Sequence, residues 1–121
     1  MKQRLIHLVK ELRLKEETFQ SPHGIAVNSE GIIAVVDQEK HRILITDMEG
    51  NCVRKIGCYG NNVGQLNRPT DVTYLNDDNI LVADQLNHRI QQFNVQTGTS
   101  VKSFGKKGTR DGSFRTLSVF V

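Results

Sequence analysis

Residues 84–93 read Asp84-Gln-Leu-Asn87-His88-Arg89-Ile90-Gln-Gln-Phe93, and residues 37–46 read Asp37-Gln-Glu-Lys40-His41-Arg42-Ile43-Leu-Ile-Thr46. The two stretches lie 47 residues apart and share Asp, Gln, His, Arg and Ile at matching places. Working outward, the match continues. Upstream, Phe19-Gln-Ser-Pro22 aligns with Leu66-Asn-Arg-Pro69, and Gly24-Ile-Ala-Val27 with Asp71-Val-Thr-Tyr74. Downstream, the second copy gains one residue and the offset becomes 48: Gly50 meets Gly98, Ile56-Gly57 meets Phe104-Gly105, and Gly60 and Gly64 meet Gly108 and Gly112. Phe114 then stands where Phe19 and Leu66 stand, opening a third copy. A repeat of this length signals a solenoid, a propeller or an array.

Each copy holds four short apolar segments. They fall at about Gly24–Val27, Ile32–Val36, Arg42–Thr46 and Cys52–Ile56, then Val72–Leu75, Ile80–Ala83, Arg89–Phe93 and Ser100–Phe104. They are rich in β-branched and aromatic residues, and Gly, Asn and Asp lie between them, which is the pattern of strands joined by tight turns. No amphipathic stretch of about ten residues separates them, so β/α repeats are excluded. Four hairpin-linked strands per repeat make the blade of a β-propeller.

The second copy, with Phe104-Gly105, Gly108 and Gly112-Ser-Phe114 following it, resembles the NHL repeat; the first is similar, with Lys40 in place of the Asn. The resemblance covers residues 19 to about 114. It implies an all-β fold, a partial β-propeller of two four-stranded NHL-type blades plus fragments of neighbouring blades. The expected organisation is an N-terminal segment over 1–18, a first blade over 19–65, a second over 66–113, and the start of a truncated third repeat over 114–121. Residues 1–18 fit the last strand of a preceding blade, since Leu8-Val9-Lys10-Glu11-Leu12 mirrors Cys52-Val53-Arg54-Lys55-Ile56; Leu5, Leu8, Val9 and Leu12 also fall at helical spacing. Two blades cannot close a ring. The chain is therefore expected to be a fragment, a truncated gene model or a piece completed by other copies, with further blades or self-association covering its bare outer sheet faces.

The 121 residues carry 16 Lys and Arg against 13 Asp and Glu, a net charge of +3. That is too mild for the overall field to announce a nucleic-acid protein. The last 21 residues are more one-sided: Lys102, Lys106, Lys107, Arg110 and Arg115 face Asp111 alone. The longest uncharged apolar run is Ile32–Val36, whereas a membrane span needs about 20 residues. Leu5–Val9 is interrupted by His7 and is too short for a signal-peptide core of about 7–15 residues. No membrane association is expected, and the location is expected to be cytoplasmic.

Asp37 and Asp84 each end a strand, with Arg42 and Arg89 five residues on. A carboxylate there can accept turn N–H groups and pair with the Arg across the turn. His41 and His88 can pack on a neighbouring strand with one ring nitrogen donating. These six residues are expected to be structural corners, because the same Asp-His pair in successive blades points to different sectors and makes no catalytic set. The Gly60/Gly64 and Gly108/Gly112 loops lack the Lys-Ser/Thr and following helix of a phosphate-binding loop. Tyr59 and Arg68 around the first loop, and Lys106, Lys107 and Arg110 in the second, are candidate RNA or partner contacts, since aromatic rings stack on single-stranded bases and cations meet phosphates. Cys52 and Cys58 have no metal-site spacing, and no cofactor or metal is expected.

The NHL resemblance implies a non-catalytic interaction module that recruits protein or single-stranded RNA, from a TRIM-NHL-like ubiquitin ligase whose RING lies outside this chain. A different class is carried by Pro22-His23-Gly24, similar to the motif supplying a zinc ligand in peptidyl-amidoglycolate lyases; His23 would then belong to a zinc-dependent propeller enzyme. A catalytic zinc needs about three protein ligands, and His23 is one.

Overall fold

The computed structural model describes residues 22–105, with the side chains of Pro22 and His23 excepted. Eight strands form two four-stranded antiparallel sheets, each ordered as its strands follow in the chain. The first sheet holds β1 (Pro22–Val27), β2 (Ile33–Asp37), β3 (Arg42–Thr46) and β4 (Cys52–Ile56). The second holds β5 (Pro69–Asn76), β6 (Asn79–Asp84), β7 (Arg89–Asn94) and β8 (Ser100–Phe104). The innermost strand of each sheet begins earlier than the apolar pattern suggests. Pro22 pairs with Asp37 and Pro69 with Asp84, each followed by a register shift; a proline is tolerated at the first residue of a strand.

Four of the tight turns are built alike. Asn28 Oδ1 accepts the N–H groups of Glu30 and Ile32, and Asp47 Oδ1 those of Glu49 and Asn51. Asn76 Oδ1 accepts from Asp78, and Asn94 Oδ1 from Gln96 and Thr97. A short side-chain acceptor at the turn's first position substitutes for a backbone carbonyl.

Strand alternation sorts the residues onto two faces of each sheet. Cross-strand partners Ala34 and Ile45, Val36 and Ile43, and Ile43 and Ile56 put five apolar side chains on one face of the first sheet. They form one buried cluster with Val72, Ile80, Val82 and Phe93 of the second sheet, completed by Val95 and by Leu66 from the connecting loop. At Gly24 the innermost strands come so close that a Cβ would stand 2.9 Å from the Asp71 Cα, so only glycine fits.

The sheets are related as successive members of a repeat. The residues of the second sheet equivalent to the packed Ala34, Val36, Ile43, Ile45 and Ile56 are Leu81, Ala83, Ile90, Gln92 and Phe104. These lie on the sheet face turned away from the first blade. Leu81 and Ile90 there are half-buried and Phe104 is exposed, with the Lys102 ammonium 5.2 Å from its ring centroid. The outward face of the first sheet differs from expectation, because Ile25, Ile33, Val35 and Leu44 are all buried. Among the described residues, the outward face of the second blade carries an exposed large apolar side chain, Phe104, at its rim, although Ala83 at its centre is buried.

Hydrogen bonds cross between the blades at the turns opposite the connecting loop. Asn28 Nδ2 donates to the Asp77 carbonyl, and Ser29 gives its N–H and hydroxyl to the Asp77 carboxylate at 3.1 and 2.5 Å. Those Ser29 bonds, the hydroxyl first, hold the Asp77 carboxyl below the usual carboxylate range. Nearby, burial and then the Asp77 charge push the Tyr74 phenol up to about 12. A lowered carboxylate pKa stabilises the fold above the unfolded value of about 3.9 and ceases to do so as pH falls through the folded value. Ser29→Ala is therefore expected to lower the denaturation midpoint at neutral pH and to leave it unchanged near pH 2. An equal gap between variant and parent at both pH values would show that the Ser29 bonds do not depend on the carboxylate charge.

Candidate functional site

The connecting loop over 57–68 and the β2–β3 and β6–β7 turns come together on one rim. Each turn is a single 3-10 turn, Gln38–Lys40 or Gln85–Asn87, closed by a histidine at φ 54 whose N–H returns to the carbonyl of Gln38 or Gln85. Neither carboxylate caps its own turn. Asp37 and Asp84 are fully buried and point instead toward the arginines: Arg42 Nε lies 3.1 Å from Asp37 Oδ2, and Arg89 Nε 2.7 Å from Asp84 Oδ2.

The second corner holds the connecting loop. Asp84 Oδ1 accepts the Asn67 N–H at 2.7 Å, and Asp84 Oδ2 also accepts from Asn87 and Gln91. Arg89 spends its remaining donors on the loop carbonyls of Asn61, Asn62 and Gln65 at 2.8–3.2 Å. Asn87 Nδ2 reaches the Gly60 carbonyl at 2.9 Å. Buried Gln91 donates to the Gln65 carbonyl at 2.7 Å and accepts the Gly64 N–H at 3.0 Å. At the loop's start Gly57 has φ 91, and a Cβ there would sit 2.6 Å from buried Leu66. A side chain at Gly57 would thus collide with the apolar plug that anchors the loop.

On the outer side of the loop, Tyr59, His41, Arg68 and Gln38 form one cluster. The Tyr59 ring is 67% exposed and leans on His41 with centroids 4.8 Å apart and planes 58° from parallel. The Arg68 N–H donates to His41 Nδ1 at 2.9 Å, so the engaged ring nitrogen is an acceptor rather than the expected donor. That bond depends on Arg68 adopting φ 51 immediately before Pro69, a backbone state uncommon outside glycine. The Arg68 guanidinium meets Gln38 Oε1 at 3.1 Å. Sequence inspection singled out Tyr59, Arg68 and His41 but passed over Asn87, Gln91 and Gln38. The available signal was Gln91, a polar residue where the first copy has buried Leu44.

Lys106, Lys107 and Arg110 lie outside the described residues, as do the His23 side chain and the segments over 1–18 and 114–121. Among the described residues no group of three or more His, Cys, Asp or Glu is placed to hold a metal ion, and neither Cys52 nor Cys58 is in a disulfide.

Two stacked four-stranded antiparallel sheets, related by a repeat and joined by a loop on one rim, define a pair of β-propeller blades. The NHL repeat model matches residues 19–45 and 66–93, one match in each blade, so the chain carries NHL repeats. It is 36% identical over 108 residues to the protein brain tumor of Drosophila melanogaster, covering 86% of this chain and 10% of that protein. It is 38% identical over 52 residues to the RING finger protein nhl-1 of Caenorhabditis elegans, covering 43% of this chain and 5% of that one. The chain thus spans a tenth or less of the curated relatives it matches. Among solved structures, Kuenenia stuttgartiensis hydrazine synthase superposes with a TM-score of 0.58 at 16% identity, over 78% of this chain and 26% of the other, a likeness of fold alone.

Proposed function

We infer that this blade pair is a non-catalytic recognition surface and that its loop rim binds single-stranded RNA. The observation that carries this reading is the Tyr59 ring, exposed over two thirds of its surface, braced by His41 and flanked by Arg68. A base stacked on an exposed aromatic ring contributes about 1–3 kcal/mol. Arg68 and, farther along, Lys106, Lys107 and Arg110 supply phosphate contacts. NHL repeats and relatives of the brain tumor and nhl-1 kind support an interaction module. A RING finger in the name of one relative supports a ubiquitin-ligase parent, with the ligase chemistry elsewhere. A protein partner is the second reading, favoured by Val63, 76% exposed, and Leu86, 46% exposed, on the same rim.

The test is fluorescence anisotropy of a labelled single-stranded oligonucleotide with the full chain at nanomolar concentration, at two salt concentrations. Tyr59→Ala is expected to weaken binding by roughly tenfold with the salt slope preserved. Neutralising Lys106, Lys107 and Arg110 together is expected to flatten the slope by about three phosphate contacts while base preference persists. Wild-type affinity in Tyr59→Ala would remove RNA stacking from the rim and leave the protein reading.

A further inference from the structure

The connecting loop is braced internally by Leu66 N–H to the Cys58 carbonyl, Gly60 N–H to the Leu66 carbonyl and Gln65 N–H to the Asn62 carbonyl, and it makes more bonds still to the blade that follows it. Its carbonyls at Gly60, Asn61, Asn62 and Gln65 are all turned inward, onto Asn87, Arg89 and Gln91. Gln91 is the innermost of these. Its amide is fully buried and engaged on both sides, accepting from Gly64 N–H and the Ser100 hydroxyl while donating to Gln65 and Asp84. A buried amide satisfied in this way fixes the backbone it binds, because releasing that backbone would strand polar groups in the interior. The loop clamped here carries Tyr59 at one end and Arg68 at the other.

We propose that Gln91 and Asn87 are positioning residues for the Tyr59 platform: they touch no ligand, and they hold the loop in the arrangement that binds it. The two repeats differ at just these places. The first copy has Lys40 where the second has Asn87, and Leu44 where it has Gln91. The first corner keeps the Asp-Arg pair without either clamp residue. The corner as such therefore belongs to blade architecture, and the added amides belong to the loop that the second blade receives. This proposal rests on the reading of Tyr59 as an RNA platform.

The test is a double-mutant cycle on RNA affinity in the full chain, combining Gln91→Leu with Tyr59→Ala. Leucine is the residue the first repeat carries at the equivalent buried position, so the substitution suits the sheet. Gln91→Leu alone is expected to weaken binding about tenfold with an unchanged salt slope, and Tyr59→Ala is then expected to cost little more. Amide exchange at Gly64 is expected to accelerate in the same variant. Equal factors for Tyr59→Ala in both backgrounds, or wild-type affinity in Gln91→Leu, would overturn the proposal while leaving RNA binding intact. Loss of any Tyr59 effect in the parent chain would instead overturn the RNA reading and this proposal with it. If Gln91→Leu does not fold, as judged by circular dichroism, Asn87→Ala takes its place with an expected loss of about threefold and the same non-additivity.

Discussion

Replacing Asp84 by alanine is expected to destabilise the second blade by about 3–5 kcal/mol, the usual result of removing one partner from a buried ion pair. The carboxylate is fully buried and accepts from Arg89, Asn87, Gln91 and the Asn67 N–H. Its loss leaves the Arg89 charge without its anion in a site largely closed to water. It also frees the Asn67 N–H, the bond that fastens the end of the connecting loop. Since whole domains are stable by only about 5–15 kcal/mol, such a loss approaches unfolding. Asp84→Asn keeps the shape and the acceptor oxygen and should recover part of the loss. Urea denaturation followed by circular dichroism measures both variants. A midpoint in Asp84→Ala equal to that of the parent chain would mean that the corner contributes nothing to stability. Asp37→Ala is expected to behave in the same direction through Arg42.

The second large effect concerns the open face of the second blade. In the first blade the equivalent face is closed by its neighbour, and Ile56 there is 1% exposed; Phe104, its repeat equivalent, is 39% exposed. Contiguous apolar patches beyond a few hundred Å² are rare on soluble monomers. Each Å² of apolar surface left in water forgoes roughly 25 cal/mol. The isolated 121-residue chain is therefore expected to self-associate at micromolar concentration. Joining further blades of the same repeat to that face should abolish the tendency. Light scattering on a sizing column gives the answer, with Phe104→Glu expected to shift the population toward monomer. A sharp two-state melt from a species of 13.7 kDa at micromolar concentration would show that the open face is tolerated as it stands.

Strand order and blade class were legible because they are encoded twice. Turn residues such as Asn28 and Asn94 mark the ends of apolar runs, and the alternation within each run assigns its faces. The pairing of Asp84 with Arg89 involves residues five apart and one turn, so it leaves a local trace. The clamp leaves no local one. Gln91 reaches Gln65 across 26 residues and binds its carbonyl, a group common to every residue type. The clamp's one trace is the contrast between the repeats, a polar Gln91 where the first copy has buried Leu44, and that contrast names no partner for the amide. The acceptor role of His41 escaped for a related reason. Whether its ring nitrogen donates or accepts is decided by the left-handed backbone at Arg68, which carries no glycine to announce it. The early starts of β1 and β5 were hidden by prolines, which cannot donate to the ladder and so read as lying outside a strand although its first residue tolerates them.

The clamp also sets an order in time. On the ribosome Tyr59 emerges 32 residues ahead of Gln91. At synthesis rates of about 5–20 residues per second, the ring is out for roughly two to six seconds before its support exists. During that interval the first sheet can already pair its own strands, because its hairpins are local. The loop cannot settle until β7 has been made and laid against β6. The strands of the first sheet can thus pair as soon as they are synthesised, whereas its packed face waits for Val72, Ile80, Val82 and Phe93 and the platform beside it is a late product of translation. A ribosome stalled before Arg89 would present a paired first sheet and a loop whose Asn61 and Gln65 carbonyls lack the Arg89 and Gln91 donors that hold them.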